Sequence, residues 1–396
     1  MPSQGYPPAH AVAPAVRAHF QRHIDEARAA GDDGLAAVPD DRAIAAIIEA
    51  AFWASLRREE GYIPKISLAY VSPDESAQPL KFDSPLALQP SLLTKVAPAV
   101  ERAGIHLAVW KNGSDGFSVW GTVRTIPTFC FVLEVAAPGL LVVKHHRRDP
   151  GKFVNVVVFE GDQIKIVDES ASKQPDCPSL LNSLLGFGSR PESVLVRLAV
   201  SMRGHGRGGA LLVVPSASRD WRDSIISPIS YGLAPPFGEL AQLARDEPPQ
   251  TAEPVSAGID RGAGAPGVDV DEARRGPWRD ALTRAVDAIA GLTAVDGATV
   301  MTRDYDVLAF GAKISRRKGS ALVEQVMVTE PIEGGTVEIV HPSLLGGTRH
   351  LSAAQFVHDQ RDTLALVASV DGHFTVFAWS GCEDMVHAHR LEALLL

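Results

Sequence analysis

A continuous apolar run, bounded by glycines and a proline, constrains the fold of this chain more than any other feature. Residues 209–214 read Gly-Ala-Leu-Leu-Val-Val and stand between Gly208 and Pro215. A strand with one face in water alternates apolar and polar residues, whereas a strand that is covered on both faces is apolar throughout. The run therefore predicts a central strand of a mixed sheet that is flanked by helices.

The first half of the chain changes from a helical period to a strand period. Residues 44–52 carry apolar side chains at three- and four-residue steps, which is typical of an amphipathic helix. Residues 105–167 form short apolar runs that are separated by turn sequences such as Asn112-Gly113 and Gly161-Asp162. This half is predicted to be an α+β domain with an antiparallel sheet.

A segment with few large apolar side chains interrupts the second half. Residues 246–276 are rich in proline, glycine and acidic residues, and such a composition predicts a flexible insertion. We expect two domains, residues 1–190 and residues 193–396, with the insertion inside the second. Residues 385–394 are predicted to form a closing helix, and the sequence shows no internal repeat.

Charge and cysteine content exclude several classes of protein. The 396 residues carry 47 acidic and 38 basic side chains, a net charge of −9, which disfavours non-specific binding to nucleic acid. Cys130, Cys177 and Cys382 lack the spacing of a disulfide framework or a cysteine zinc site. Residues 129–143 are too few to cross a bilayer, and residues 1–30 lack a secretory signal pattern. We expect a cytoplasmic protein without a membrane or nucleic-acid partner.

Two short polar clusters in the second half could carry chemistry. The first is Asp296-Gly297-Ala298, which stands between a predicted helix and a predicted strand. An aspartate there can bind a divalent cation, and the glycine lets a ligand approach the backbone. The same tripeptide can equally be an ordinary turn, because Asp-Gly is a common turn dipeptide.

The second cluster is Gly347-Thr348-Arg349-His350, at the predicted start of a helix. Backbone N–H groups at a helix start, together with a guanidinium, favour the binding of a phosphate. Alternatively, Thr348 caps the helix while Arg349 and His350 are solvated.

Taken in order, four motifs resemble the diadenylate cyclase (DAC) domain. That family carries an early Gly-Ala-Leu-Ile-Val strand, an Asp-Gly-Ala motif, a Gly-Thr-Arg-His-Arg motif and a strand that ends in Ser-Glu-Glu or a variant. The corresponding residues here are 209–214, 296–298, 347–350 and Ser369-Val370-Asp371. Three departures stand out: Leu351 replaces an arginine, Val370 replaces an acidic residue, and Asp296 and Arg349 are 53 residues apart, which is longer than usual.

The resemblance implies condensation of two ATP molecules into cyclic di-AMP, with Mg²⁺ or Mn²⁺, across a face-to-face homodimer. By that resemblance Asp296, Arg349 and His350 are catalytic, and Asp296 and Asp371 are metal ligands. The nucleotide-binding residues implied in the same way are Gly297, Ala298, Gly347, Thr348 and Ser369.

The first half resembles, more weakly, the predicted sensor modules called DACNV that precede divergent DAC domains. In it, His145-His146-Arg147-Arg148 suggests an anion or metal site, although a solvated strand end explains this cluster as well. Two other functions therefore stay open for the whole chain. One is a catalytically inactive, DAC-like nucleotide-binding sensor. The other is an interaction module that docks through the helix at residues 44–52.

Overall fold

The computed structural model describes residues 5–59, 61–102, 104–113, 116–146, 153–168, 193–248 and 270–396. The chain forms two compact units with a mixed α+β fold. Unit 1 comprises Met1–Asp168 and Leu396, and unit 2 comprises Glu169–Leu395. The predicted boundary near residues 190–193 borders residues 169–192, which lie outside the described part, as do residues 249–269 of the predicted insertion.

Unit 1 contains three α-helices and eight strands among its described residues. They are α1 Pro7–Ala29, α2 Asp41–Ser55, β1 Ser67–Tyr70, β2 Leu80–Ala87, α3 Pro90–Val96, β3 His106–Asn112, β4 Gly116–Val123, β5 Phe131–Ala137, β6 Leu140–His146, β7 Phe153–Glu160 and β8 Gln163–Ile166. The predicted helix at residues 44–52 lies within α2, which begins where the Asp40 carboxylate accepts a hydrogen bond from the Ala43 N–H at 2.8 Å.

The strand order of unit 1 is β2-β4-β3-β1-β5-β6-β7-β8. The sheet was expected to be antiparallel, and this is wrong for one pair, because β1 runs parallel to β3. A parallel pair needs a crossover connection, and the chain supplies one through β2 and α3. One face of the sheet packs on α1 and α2, where Phe20, Ile47 and Ile48 are buried.

Unit 2 contains four α-helices and nine strands among its described residues. They are α4 Val194–Gly204, β9 Gly209–Val214, β10 Tyr231–Phe237, α5 Glu239–Arg245, α6 Val270–Thr293, β11 Ala298–Thr302, β12 Val307–Ala312, β13 Val326–Thr329, β14 Glu338–Val340, α7 Thr348–Asp359, β15 Leu364–Ala368, β16 Phe374–Ser380 and β17 Met385–Arg390. The α6 helix begins at Val270, so the end of the predicted insertion is helical.

The nine-stranded sheet has the order β10-β12-β11-β9-β15-β16-β17-β13-β14 and is mixed, as expected. Every residue of β9 is buried, because the strand is covered on both faces. Leu211 and Val213 pack in one cluster with α4 and α6, whereas Leu212 and Val214 pack in another with α7. The prediction of a central strand flanked by helices is confirmed.

The closing helix expected at residues 385–394 is wrong. Residues 385–390 form β17, which pairs antiparallel with β16 and parallel with β13. Alanine, valine and leucine at these positions fit either period, and the pairing with two long-range neighbours decides in favour of the strand.

Seven strands repeat the same arrangement in both units. The order β2-β4-β3-β1-β5-β6-β7 in unit 1 corresponds to β10-β12-β11-β9-β15-β16-β17 in unit 2. Each series has one parallel pair, β1 with β3 and β9 with β11, and the other neighbours are antiparallel. The sequence shows no repeat because the repeat lies in strand order and direction, which short-range patterns do not record.

Candidate functional site

Strand direction brings four loops to one edge of the unit 2 sheet. The strands β9 and β11 run in one direction, while β12 and β15 run in the other. The starts of the first two therefore lie beside the ends of the second two. Gly208 precedes β9, Asp296 and Gly297 precede β11, Lys313 follows β12, and Ser369 follows β15.

The guanidinium of Arg349 reaches this edge from the first turn of α7. A Cβ atom placed on Gly208 would lie 2.9 Å from Arg349 Nη1, 3.2 Å from the Ala368 carbonyl oxygen and 3.3 Å from Val370 Cγ2. The Arg349 side chain thus packs against the backbone of Gly208, beside the turn that follows β15. Gly208 also has a φ of +68°, which favours glycine.

Asp296 lies at the same edge and is ionised at neutral pH. Its side chain is 89% exposed and forms an ion pair with Lys313. A hydrogen bond from Lys313, the charge of that lysine and the charge of Arg349 hold the pKa of Asp296 below its usual value. The structure therefore places Asp296 and Arg349 at the same edge of the sheet, although 53 residues separate them in sequence.

Two glycines beside Asp296 allow close approaches: Gly297 brings the start of β11 against the backbone of β12, and Gly311 leaves room for the ring of Tyr231. A Cβ atom on Gly297, whose φ is +110°, would lie 2.5 Å from the carbonyl carbon of Gly311. A Cβ atom on Gly311 would in turn lie 2.8 Å from the ring of Tyr231. Tyr231 is half-exposed and stacks on Phe310 with ring centroids 4.7 Å apart, so the edge offers a flat aromatic surface.

The helix start of α7 is open to a ligand. Gly347 is the N-cap residue of α7, and Thr348 is its first helical residue. Because Gly347 has no side chain, it cannot cap the helix with one. Thr348 does not cap the helix, contrary to the alternative interpretation. Both residues are exposed, so a ligand can approach the first turn beside the Arg349 side chain, where the first N–H groups of a helix generally have no partner within the helix.

His350 lies in the core and not at the exposed edge. It is 2% exposed, packs against Phe377 with ring centroids 6.1 Å apart and contacts the backbone of Gly346. Burial, followed by the charges of His373 and Arg390, lowers the pKa of His350 to about 4. The imidazole is therefore neutral near pH 7 and is placed to support packing.

The turn after β15 carries the remaining predicted residues. The Ser369 hydroxyl accepts a weak hydrogen bond from the Asp371 N–H at 3.4 Å, and Val370 and Asp371 are exposed. Ala298, by contrast, is buried at the start of β11, where it contributes backbone and no side-chain chemistry to the edge.

Sequence reasoning missed two residues of this edge, Lys313 and Tyr231. Arg207 lies in the tract 205–209, whose sequence suggests a phosphate cradle or, more simply, the turn into β9. Lys313 and Arg207 add positive charge beside Arg349. Burial is the largest cause that lowers the pKa of His205, and the charges of Arg207 and Arg349 lower it further. Tyr231 adds an aromatic surface. The available signals were a basic residue directly after a strand and an isolated glycine, Gly311, inside one. The cationic edge suits a polyphosphate.

In unit 1 an open groove of about 660 Å³ runs along α2. Trp53, Leu56 and Leu88 give it an apolar lining, while Glu49 and Arg57 add opposite charges. None of the described helices in either unit is both long and apolar enough to cross a membrane.

Residues 33–124 match the family model described as a probable sensor domain, DACNV. The matched residues run from just before α2 to the end of β4, and they include the groove. The expected N-terminal sensor domain is thereby confirmed for this part of unit 1. The match does not extend to unit 2, where the resemblance to the cyclases lies. None of the curated proteins matches the chain.

Proposed function

We propose that unit 2 binds ATP at the edge that carries Asp296 and Arg349 and condenses two ATP molecules into cyclic di-AMP under the control of the N-terminal sensor domain. The observation that carries this proposal is the convergence of an ionised carboxylate and a guanidinium, 53 residues apart in sequence, beside an open helix start. Both are groups that phosphoryl chemistry requires.

The residues present suit a triphosphate with a hard divalent cation. Asp296 would hold Mg²⁺ or Mn²⁺ through its exposed carboxylate, and one carboxylate plus substrate phosphates is a usual ligand set for such ions. The ion would neutralise charge on the α-phosphate. Asp371 stands exposed in the turn beside Arg349 and would be a second ligand.

The protein side chains would orient the nucleotide. Arg349 and the N–H groups near Gly347 and Thr348 would bind phosphate oxygens, and Tyr231 would stack on a planar base. Gly297 would let the ribose approach the backbone, and the Ser369 hydroxyl would donate to a phosphate oxygen. His350 would act indirectly, because its buried ring supports the first turn of α7.

The reaction needs two copies of the site. Each 3′-hydroxyl loses its proton and attacks the α-phosphate of the other ATP, so two P–O ester bonds form, two phosphoanhydride bonds break and two pyrophosphates leave. One edge holds one ATP. We therefore propose a homodimer in which two such edges face each other.

A second candidate is a DAC-like nucleotide-binding sensor without catalysis. The ion pair between Lys313 and Asp296 favours it, because a lysine on the carboxylate competes with a metal ion. Val370 and Leu351, which replace an acidic residue and an arginine of the family pattern, point in the same direction.

One experiment separates the two candidates. The full chain is incubated with ATP and Mn²⁺, and cyclic di-AMP and ATP binding are measured for the native protein, Asp296→Asn and Lys313→Met. Product that disappears in Asp296→Asn supports the cyclase. ATP binding without product in both the native protein and Lys313→Met supports the sensor. Absence of ATP binding in the native chain would overturn both.

A further inference from the structure

Three histidines of unit 1 converge although they come from distant parts of the sequence. His19 and His23 are four residues apart on α1 and therefore lie on one face of the helix, one turn apart. His145 lies near the end of β6. One ring nitrogen from each of the three lies within 4.8 Å of the other two.

The cluster is packed and partly shielded from solvent. Ring centroids are 4.5 Å apart for His19 and His23 and 5.4 Å apart for each of these with His145. His145 is 1% exposed, and the Nε2 atoms of His19 and His23 are inaccessible to water. The solvated strand end considered for residues 145–148 is therefore wrong for His145, while Arg147 and Arg148 lie outside the described residues.

Aromatic rings form the wall of the cluster. Phe129 stacks on His23 with ring centroids 5.7 Å apart and lies 5.2 Å from His145. Phe131 faces His145 across the β5–β6 pair. Phe129 has a φ of +58°, in the left-handed region that a bulky residue rarely adopts, and such backbone strain is concentrated at ligand sites.

A carboxylate lies at ion-pair distance from one of the three rings. The Nδ1 atom of His23 lies 3.8 Å from a carboxylate oxygen of Glu26, one turn further along α1. The opposite nitrogen, Nε2, is buried. Metal-binding histidines generally give their second nitrogen to a carboxylate or carbonyl, which fixes the tautomer and the ring orientation, and Glu26 is the carboxylate next to His23.

We propose that His19, His23 and His145 bind one divalent transition-metal ion of the zinc type. Imidazole nitrogens suit Zn²⁺ and its first-row neighbours, whereas Mg²⁺ and Ca²⁺ require oxygen ligands. Tetrahedral coordination at zinc–nitrogen distances of about 2.0–2.1 Å separates ligand nitrogens by about 3.3 Å, which rotations of the two helical side chains can reach.

Three protein ligands leave a fourth coordination position open to water or a small anion. The three histidines lie outside residues 33–124, which match the sensor model, but belong to the same unit. This assignment is independent of the nucleotide chemistry proposed for unit 2, and the two are expected to use different ions.

Metal content of the full chain tests the site. The protein is stripped with a chelator, reloaded with Zn²⁺, separated from free metal and analysed for zinc, and Co²⁺ loading is followed by its visible absorption. We expect one ion per chain, the intense absorption of tetrahedral Co²⁺, and at least about tenfold weaker binding in His19→Gln and His23→Gln. His10→Gln is the matched control, since His10 is on α1 with 66% of its side chain exposed.

A second variant leaves all three ligands in place. Glu26→Gln removes only the carboxylate behind His23 and is expected to weaken zinc binding by about 10–100-fold without loss of folding. Zinc content that is equal in the native chain, His23→Gln and His10→Gln would overturn the proposal, as would a native chain that retains no zinc. Loss of zinc in His19→Gln and His23→Gln, with folding intact by circular dichroism, supports it.

Discussion

The two units of this chain place seven strands in the same order and direction but add different parts to them. Residues 124–130, all described, join β4 to β5 in unit 1 without a helix. The corresponding connection in unit 2, from β12 to β15, contains β13, β14 and α7. The helix that carries Arg349 is therefore an addition to a shared strand arrangement.

The shared arrangement extends to the contact between a helix end and a hairpin. In unit 1 the Ser55 hydroxyl at the end of α2 accepts a hydrogen bond from the Gly139 N–H at 3.0 Å. In unit 2 Arg203, near the end of α4, donates to the Gly372 carbonyl at 2.8 Å. Gly139 lies in the β5–β6 turn and Gly372 in the β15–β16 turn, which are equivalent positions.

The chemistry differs at that common edge. Unit 2 has Asp296-Gly297 directly before β11, whereas unit 1 has Gly104-Ile105 directly before β3. Unit 1 has its titratable cluster elsewhere, between α1 and β6. The comparison teaches that strand order fixes where a site can form, while the loops and added helices decide what it binds.

Among single substitutions, the largest expected effect comes from removing the packing of the added helix. Phe356 is fully buried between α7 and the sheet of unit 2. We expect Phe356→Ala to lower the free energy of unfolding of unit 2 by about 3–5 kcal/mol and to leave unit 1 unchanged. Hydrogen exchange of β9 and β1 peptides checks this, with Leu344→Ala as control because Leu344 is 76% exposed. Equal loss of protection in both units would contradict the separation.

Acid is expected to destabilise unit 2 more than unit 1. Burial is the main cause that lowers the pKa of His350 to about 4 and of His389 to about 3 in unit 2, and of His106 to about 4 in unit 1. Each folded-state pKa lies below the unfolded value of about 6.5. The contribution of each neutral histidine to the free energy of unfolding is therefore fully present above pH 6.5 and is lost as the pH falls toward 4.

The loss amounts to about 3 kcal/mol for each imidazole. Hydrogen exchange of each unit between pH 7.5 and pH 4 measures it. The described residues of unit 2 contain two of these histidines and those of unit 1 contain one. Replacing His350 by Gln is expected to flatten the pH dependence of unit 2 alone. A larger acid sensitivity of unit 1 would reverse the comparison.

The smallest effect concerns the nucleotide edge. Arg349→Ala is expected to weaken ATP binding by about 1.5–3 kcal/mol, the usual value of a hydrogen bond to a charged group. Gly208→Ala is expected to have a similar effect because its Cβ would displace the guanidinium. Gly204→Ala, where a Cβ meets no atom within 4 Å, is the matched control. Calorimetric titration with ATP that gives one affinity for all three variants would remove Arg349 from the site.

Local sequence patterns predicted those parts of the molecule that depend on near neighbours. The period of residues 44–52 and the apolar run at 209–214 were sufficient for α2 and β9, and the order of the motifs was sufficient to expect Asp296 and Arg349 at one edge. The ion pair with Lys313 and the meeting of His145 with α1 were not predictable, because each depends on the register of strands or on a contact between elements far apart in sequence.

The wrong prediction of a helix at β17 shows the same limit. Val386 and Ala388 fit a helix as well as a strand, and only the neighbours β16 and β13 distinguish the two. Likewise, β1 and β3 are parallel because the chain crosses over between them. The positions of strands along the sequence do not show which neighbouring strands are joined by a crossover.

The contact of Gly297 with Gly311 limits how the nucleotide edge can diversify. A side chain at Gly297 would push β12 away from β11 and carry Lys313 out of reach of Asp296, whereas a side chain at Gly311 would displace the ring of Tyr231. Variation that changes ligand preference must therefore enter through exposed positions such as Tyr231. A directed-evolution library that spares both glycines and randomises Tyr231 and Lys313 would explore new ligands while keeping the scaffold intact.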